Sequence, residues 1–356
     1  MKVLYILPTG LMGGMERHVR CLALALRGAA ECRVLIIGDE GPLGRTMRAD
    51  GIDVVALGCR NGHDWRIFPR LHRVLREFRP DVVHAQNPIL FPSLYFKSVD
   101  RRTPYLLSIH TPTRREGTLR HLLWSWLGRR VDYHLPVSSA TWRNFLDVFP
   151  FAAGKGEVFF NPLRLADFSP QASARSGSGA LVLGMVGRNA DQKDWPSFHR
   201  VEGIVRSRRT GEVEFLNAGE NAVCDGREAI AKMDLFVMTS KHEELPTTAL
   251  ECFALGTPIC GFIPVGGMAD ILALSGGPLR EAFVPGRDCA KLAAVALDLL
   301  AHPEKRRALA EDGRRILTRH FDAERNCRGR LMEIYCSRRR SAGRGESACA
   351  EAQGRG

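Results

Sequence analysis

Ser240-Lys241-His242-Glu243-Glu244-Leu245-Pro246-Thr247-Thr248-Ala249-Leu250-Glu251, continued by Ala254-Leu255-Gly256-Thr257-Pro258, is the stretch on which the reading of this chain turns. It lies between two apolar runs of strand length, Leu235–Met238 and Pro258–Phe262, and Thr247–Leu255 has helical spacing. Strand, loop, helix and strand in that order make one unit of a parallel α/β sheet, which binds ligands at the carboxyl ends of its strands. The loop is therefore expected where such a sheet does chemistry. Thr247 or Thr248 can cap the helix, which puts Glu251 one turn in. Glu251 is then either a capping-box partner or a carboxylate that accepts from both hydroxyls of a ribose. Glu243 precedes the helix, within reach of a bound sugar. The free amides of the helix start, just past Leu245 and Pro246, can meet phosphates.

The alternation runs to both ends. Towards the amino terminus come strands Val3–Leu7, Arg33–Ile37, Ile52–Leu57, Asp81–His84 and Tyr105–Ile109, with helices Glu16–Leu26 and Trp65–Phe78 between them. The Ser, Gly, Ala and Pro of residues 166–179 read as a linker. After it come strand Leu181–Val186, helix Pro196–Arg206 and strand Val213–Leu216. Beyond the quoted stretch lie helices Asp288–Ala301, Pro303–Arg319 and Asp322–Cys336. This is an α/β chain with two Rossmann-like domains, 1–165 and 180–320. Residues 321–340 follow as a helix, and 341–356 as a disordered tail.

Composition narrows the class. The 356 residues are 45% hydrophobic and 25% charged, enough for two cores. The ten cysteines sit singly, without zinc spacing, and read as buried reduced thiols. Val3–Leu7 is too short for a signal peptide's apolar region, and no run approaches the roughly 20 residues of a spanning helix. Net charge is +12. Residues 1–165 carry 24 Lys and Arg against 14 Asp and Glu, a balance of +10, and residues 166–356 carry 27 against 25, only +2. The basic half either meets an anionic partner or is a solvated basic surface.

Three further features end strands. Pro8-Thr9-Gly10-Leu11-Met12-Gly13-Gly14-Met15-Glu16 lets backbone amides approach a phosphate or sugar, or holds plain turn glycines. A dinucleotide fingerprint fails because Met12 stands where its second glycine belongs, although Asp39 lies where a ribose-binding acid would. His110, in Ser108-Ile109-His110-Thr111-Pro112, can donate to a substrate hydroxyl or assist proton transfer, or is structural. Arg188 and Lys193, five apart across a strand-to-helix turn, can converge on one diphosphate and stabilise it as a leaving group without a metal.

In their order these motifs resemble glycosyltransferase family 4, whose Glu-Gly-Phe-Pro, second Glu eight residues on and Ala-x-Gly-x-Pro match Glu243–Pro246, Glu251 and Ala254–Pro258. Gly13-Gly14-x-Glu16, Asp81–His84, Val137-Ser138-Ser139, Asn161-Pro162 and Phe321-Asp322 through Tyr335 match further landmarks over nearly the whole chain. The resemblance implies a GT-B fold: two domains facing across a cleft, the last helix crossing back to the first domain. It implies a retaining transferase that uses a nucleotide-sugar as co-substrate and needs no metal or other cofactor. On it, Arg188 and Lys193 hold the donor diphosphate, Glu251 the ribose and Glu243 the sugar. Gly13 and Gly14 close from the other domain, and His110 bonds the sugar near the reacting centre. Two departures stand out. Glu244 replaces the family's glycine, and its charge would weaken donor binding unless it points away. A strand–helix unit is also shortened around 217–227.

The first domain would take the acceptor, a glycan or a lipid-linked one. Thr113–Tyr133 mixes Arg114, Arg115, Arg120, Arg129 and Arg130 with Leu119, Leu122, Leu123, Trp124, Trp126 and Leu127, as an interfacial helix on an anionic membrane does. Burial of those tryptophans in a core is the other reading. The expected setting is cytoplasmic, on the inner face of a membrane. The competing classes are a nucleotide-sugar epimerase or NAD-dependent enzyme on the same architecture, and a degenerate or nucleic-acid-binding protein. No helix-turn-helix or zinc motif supports nucleic acid.

Overall fold

The computed structural model describes residues 1–115, 117–168, 180–208, 211–219 and 226–341. The expected linker beyond 168 and tail beyond 341 lie outside the described residues, as do 220–225 of the shortened stretch. The chain forms two compact units: Met1–Pro162 with Ala323 onward, and Leu163–Asp322.

The described residues of the first unit form six strands: β1 Lys2–Leu7, β2 Glu31–Ile36, β3 Asp53–Ala56, β4 Val82–Gln86, β5 Tyr105–Ile109 and β6 Tyr133–Pro136. They pair in the order β3-β2-β1-β4-β5-β6, all parallel, with Val3 beside Cys32 and Val82. Alternation in the apolar runs supplies two cores. Leu4, Ile6, Leu35, Val83 and Leu107 face one side with Leu71, Val74 and Phe78 of the helix Ile67–Phe78. Val3, Tyr5, Leu7, Val34 and Leu106 face the other with Val19 and Leu22 of the helix Gly14–Ala25. A sheet buried on both faces favours continuous apolar strands, as in Val3–Leu7 of β1; β4 is buried throughout but carries the polar His84 and Gln86.

The carboxyl-terminal helix Arg328–Ser341 belongs to this unit. Leu331, Ile334 and Tyr335 are buried in the second of the two cores. His84 and Asp81 of the expected landmark hold it. His84 Nδ1 lies 2.7 Å from the Tyr335 hydroxyl, and Arg339 Nε lies 3.3 Å from Asp81. Tyr335 donates to Tyr5 at 3.1 Å, so its lone pair faces His84 Nδ1–H, and His84 Nε2 accepts from Ser108 at 2.8 Å. Replacing a core side chain such as Leu331 by Ala costs roughly 2–5 kcal/mol.

The described residues of the second unit form seven strands: β7 Leu181–Val186, β8 Val213–Ala218, β9 Leu235–Met238, β10 His242–Glu243, β11 Ile259–Phe262, β12 Val265–Gly266 and β13 Phe283–Val284. Five form a parallel sheet ordered β13-β11-β9-β7-β8, and β10 pairs with β12. Sheet order reverses at β7 and β9, so the loops after these two strands open at a switch point.

Seven described cysteines are free, five of them buried. No helix among the described residues is long and apolar enough to cross a membrane.

Candidate functional site

In the second unit the expected residues gather where β7 and β9 end. Lys193 closes a short turn, Asp191–Lys193, and Asp194 follows it in the left-handed region with φ of 54°. Asp194 accepts from the Ser197 hydroxyl at 2.7 Å and so secures the start of the helix Trp195–Arg208. Burial pushes its carboxyl up, but hydrogen bonds from Ser197 and Arg287 outweigh this and hold it below the usual value. Arg287 ties the two loops together: it bonds Asp194 and donates to the Thr239 carbonyl at 2.6 Å. Thr239 Oγ1 in turn donates to the carbonyl of Lys193 at 3.1 Å. The sequence reading missed Arg287, which lies far along the chain in no recognised motif.

So positioned, Lys193 donates to Oε1 of Glu243 at 2.5 Å. Both side chains are nearly buried. Glu243 is held from behind, where Gly267 N donates to its carbonyl at 2.8 Å. Gly266 stands at φ of 130°, and a Cβ there would meet the Glu243 carbonyl oxygen at 1.8 Å. Only glycine fits that approach. Glu244 turns to His242, 3.0 Å from its Nε2, so the unexpected charge has a local partner.

The helix Thr247–Leu255 begins differently from expectation. Pro246 is its N-cap, no side chain caps it, and neither threonine plays that part. Glu251 therefore lies too deep in the helix for a capping box. It is paired with Arg227, 3.5 Å away, whose guanidinium stacks over Phe168 at 4.3 Å. Arg227 was missed because it starts the helix Gly226–Ala231 in the stretch read as shortened. Leu245 and Pro246 are buried beneath the helix start. The backbone amides and hydroxyls of Thr247 and Thr248 meet no protein acceptor among the described residues. Arg188 is exposed, and its side chain has no partner among them. Lys193 and Glu243 are thus in contact. Glu251 is engaged by a different cation, and Arg188 stands free.

In the first unit, sheet order reverses between β1 and β4. Gly10 answers the plain turn reading: a Cβ there would meet the Glu40 carbonyl oxygen at 1.8 Å, so two backbone segments press together. A Cβ on Gly13 would meet the Glu16 carboxylate at 2.3 Å, whereas Gly14 has nothing within 4 Å. Glu16 is buried in the first helical turn and accepts from Thr9 Oγ1 at 2.7 Å, its charge favoured by the helix dipole. Of the expected glycine pair, Gly14 alone leaves open room.

His110 is buried at the end of β5. Its Nε2 lies 2.7 Å from Gln86 Oε1, an acceptor, so Nε2 carries the proton. Its backbone amide donates to Asn87 at 2.8 Å. Burial lowers its pKa to about 3, so the ring is neutral at pH 7. In this tautomer the remaining Nδ1 is an acceptor. His18, on the helix Gly14–Ala25, stands edge-on to His110 with ring centroids 5.1 Å apart. Both its ring nitrogens are buried without partners. It too was missed, since its helical position reads as ordinary amphipathic pattern.

The tryptophans of Thr113–Tyr133 divide between the two readings. The helix is Thr118–Gly128; Trp124 packs on the core, but Leu119 (83% exposed), Leu122 (59%), Leu123 (40%) and Trp126 (47%) do not.

Residues 12–166 match the family model described as Glycosyltransferase Family 4, and residues 180–316 the one described as Glycosyl transferases group 1. The 2-deoxystreptamine N-acetyl-D-glucosaminyltransferase of Streptomyces fradiae is 27% identical over 281 residues, 65% of this chain and 65% of that protein. The sulfoquinovosyl transferase SQD2 of Arabidopsis thaliana is 25% identical over 292 residues, 71% of this chain and 56% of its own. The chain thus spans less than two thirds of the length of these two relatives. Anabaena HepE, solved in complex with UDP and glucose, superposes with a TM-score of 0.74 at 16% identity, over 95% of this chain and 100% of that one. The fold is shared.

Proposed function

Since the chain belongs to glycosyltransferase family 4, we propose that it moves a sugar from a nucleotide-sugar donor to a glycan or lipid-linked acceptor, retaining anomeric configuration. The contact between Lys193 and Glu243 carries this reading. It sits at the switch point of the second sheet, beside a helix start whose first amides have no partner among the described residues. A diphosphate arriving there meets the ammonium, those amides and the free guanidinium of Arg188. Together they would neutralise the leaving group without a metal. As Lys193 turns to the phosphate, Glu243 is released to accept from a hydroxyl of the transferred sugar. The bond from the anomeric carbon to phosphate oxygen then breaks. The acceptor oxygen bonds from the same face, and its proton passes to the departing phosphate. Glu251 would hold the ribose once Arg227 yields or shares it. The UDP and glucose of the Anabaena neighbour agree with a nucleotide-sugar as partner.

The acceptor side rests on the first unit. Its outward Leu119, Leu122, Leu123 and Trp126, beside exposed Arg114, Arg115 and Arg120, suit an anionic membrane surface that presents a lipid-linked acceptor.

Thermal melts with UDP-, GDP- and ADP-sugars test the donor half. A donor at about 100 times its Kd adds about 2.7 kcal/mol of stability. One of the panel is expected to raise the melting temperature, and Lys193→Ala or Glu251→Ala to cancel the rise. No shift with any nucleoside diphosphate would overturn the assignment.

A further inference from the structure

Arg287 lies between β13 and the helix Cys289–Ala301, whose N-cap Asp288 accepts from the amides of Ala290 and Lys291 at 3.0 and 3.1 Å. Its backbone is thereby fixed beside a capped helix start. From there the guanidinium reaches three places in the second sheet. Nη2 bonds the Asp194 carboxylate after β7, and donates to the Thr239 carbonyl after β9 at 2.6 Å. Nη1 donates to the Ser240 carbonyl at 3.3 Å. The planar group lies 4.7 Å from the ring centre of Phe262, the last residue of β11. Asp194 thus neutralises the charge, two carbonyls take terminal donors and an aromatic ring covers one face. The cation is engaged by the protein rather than offered to a phosphate.

What it acts on is Lys193. Asp194 is the next residue, and its φ of 54° is one that a residue other than glycine keeps only where its surroundings enforce it. Arg287 and Ser197 do so through the carboxylate. Thr239, whose carbonyl Arg287 holds, sends its hydroxyl to the carbonyl oxygens of Lys193 and Asp194, 3.1 Å from each. On the other flank, Gln192 Nε2 donates to the His242 carbonyl at 2.7 Å, and Lys241 N to the Gln192 carbonyl at 2.8 Å. Lys193 is therefore gripped on both sides, and Arg287 is the centre of one grip. Its ammonium rides on a flexible four-carbon stem, so the backbone decides where the charge stands.

We propose that Arg287 is a positioning residue for sugar transfer. By clamping Asp194 to the loop after β9, it sets the backbone of Lys193 and so the place of the ammonium that meets the leaving phosphate. The catalytic half rests on the transferase reading. The clamp does not, because its effect on the contact between Lys193 and Glu243 is measurable without any substrate.

A cycle of Lys193→Ala and Glu243→Ala, read by urea unfolding of the full chain, gives the coupling of that pair. In an Arg287→Met background, which keeps a stem over Phe262 and drops the bonds, the coupling is expected to fall about tenfold as an equilibrium constant. Arg287→Lys keeps a cation for Asp194 but has no fork to join it to two carbonyls, so it recovers only part. A role in stability alone would lower every member of the cycle equally. An undiminished coupling in Arg287→Met overturns the proposal. Should that variant fail to fold, an undiminished coupling in Arg287→Lys does the same. The second readout is hydrolysis of whichever UDP-, GDP- or ADP-sugar raises the melting temperature. Its kcat is expected to fall about 100-fold in Arg287→Met, assayed well below the melting point, as for a group displaced by about 1 Å. A coupling that collapses while kcat holds overturns the catalytic half. A coupling that collapses while no nucleotide-sugar shifts the melting temperature sinks the transferase reading and leaves the clamp standing.

Discussion

Lys193 Nζ and Glu243 Oε1 lie 2.5 Å apart in a nearly buried pair that joins the loops after β7 and β9. Removing one partner strands the other charge, so Lys193→Ala is expected to cost roughly 3–5 kcal/mol of stability. The double variant Lys193→Ala/Glu243→Ala should recover much of that loss, since no lone charge remains. Urea unfolding of the four members of the cycle measures the coupling. A saturating nucleoside diphosphate should shrink it, because phosphate competes for the same ammonium. A coupling indifferent to the nucleotide would mean that Lys193 never leaves Glu243.

Glu244 faces His242 rather than the helix start. Glu244→Gly is therefore expected to change donor affinity by no more than about twofold, the usual range for a surface substitution. A tenfold gain in the variant would show that the carboxylate does repel the phosphates.

Four histidines of the first unit are buried neutral, His134 with its pKa lowered to about 4 among them. Burial holds His84 and His110 at about 3 and His18 well below its ordinary value. Between an unfolded value near 6.5 and about 3, the unfolded chain takes up protons that the folded one refuses. Stability is thus full above about pH 6.5 and falls as pH drops, by about 1.4 kcal/mol per pH unit for each histidine. Denaturant midpoints at pH 7, 6 and 5 should decline, starting above the carboxylate range. A flat profile over that window would contradict the burial.

Leu122→Glu and Trp126→Glu place charge on the outward face of the helix Thr118–Gly128. Both side chains are exposed, so folding should tolerate the change. Co-sedimentation with vesicles containing phosphatidylserine should fall severalfold in each variant, and donor-induced thermal shifts should persist. Wild-type protein that ignores anionic vesicles would refute the membrane contact.

Much of the architecture was legible because parallel strands announce themselves as apolar runs. Tyr105–Ile109, Leu181–Val186 and Leu235–Met238, and the helix Thr247–Leu255, have the bounds that periodicity assigns. β6, Tyr133–Pro136, was hidden because its first residue fell inside a run read as amphipathic helix. Of the site, Lys193 and Glu243 were legible from motif spacing, but their mutual contact was not: it depends on β7 and β9 being neighbours, a fact of topology. Arg227 and Arg287 were invisible for the same reason. An arginine alone on a helix start or in a loop carries no periodic signal, and only tertiary folding shows which carboxylate it meets.

The helix that completes the amino-terminal unit is translated after the whole of the other unit. A nascent chain therefore emerges with β1, β2 and β4 lacking the side chains of Leu331, Ile334 and Tyr335 that seal one of their faces. That trough stays open until the ribosome has delivered the last helix, whichever unit starts to fold first. A fragment ending at Pro162 would carry it permanently, as a surface waiting for the missing helix or for the same surface on another copy.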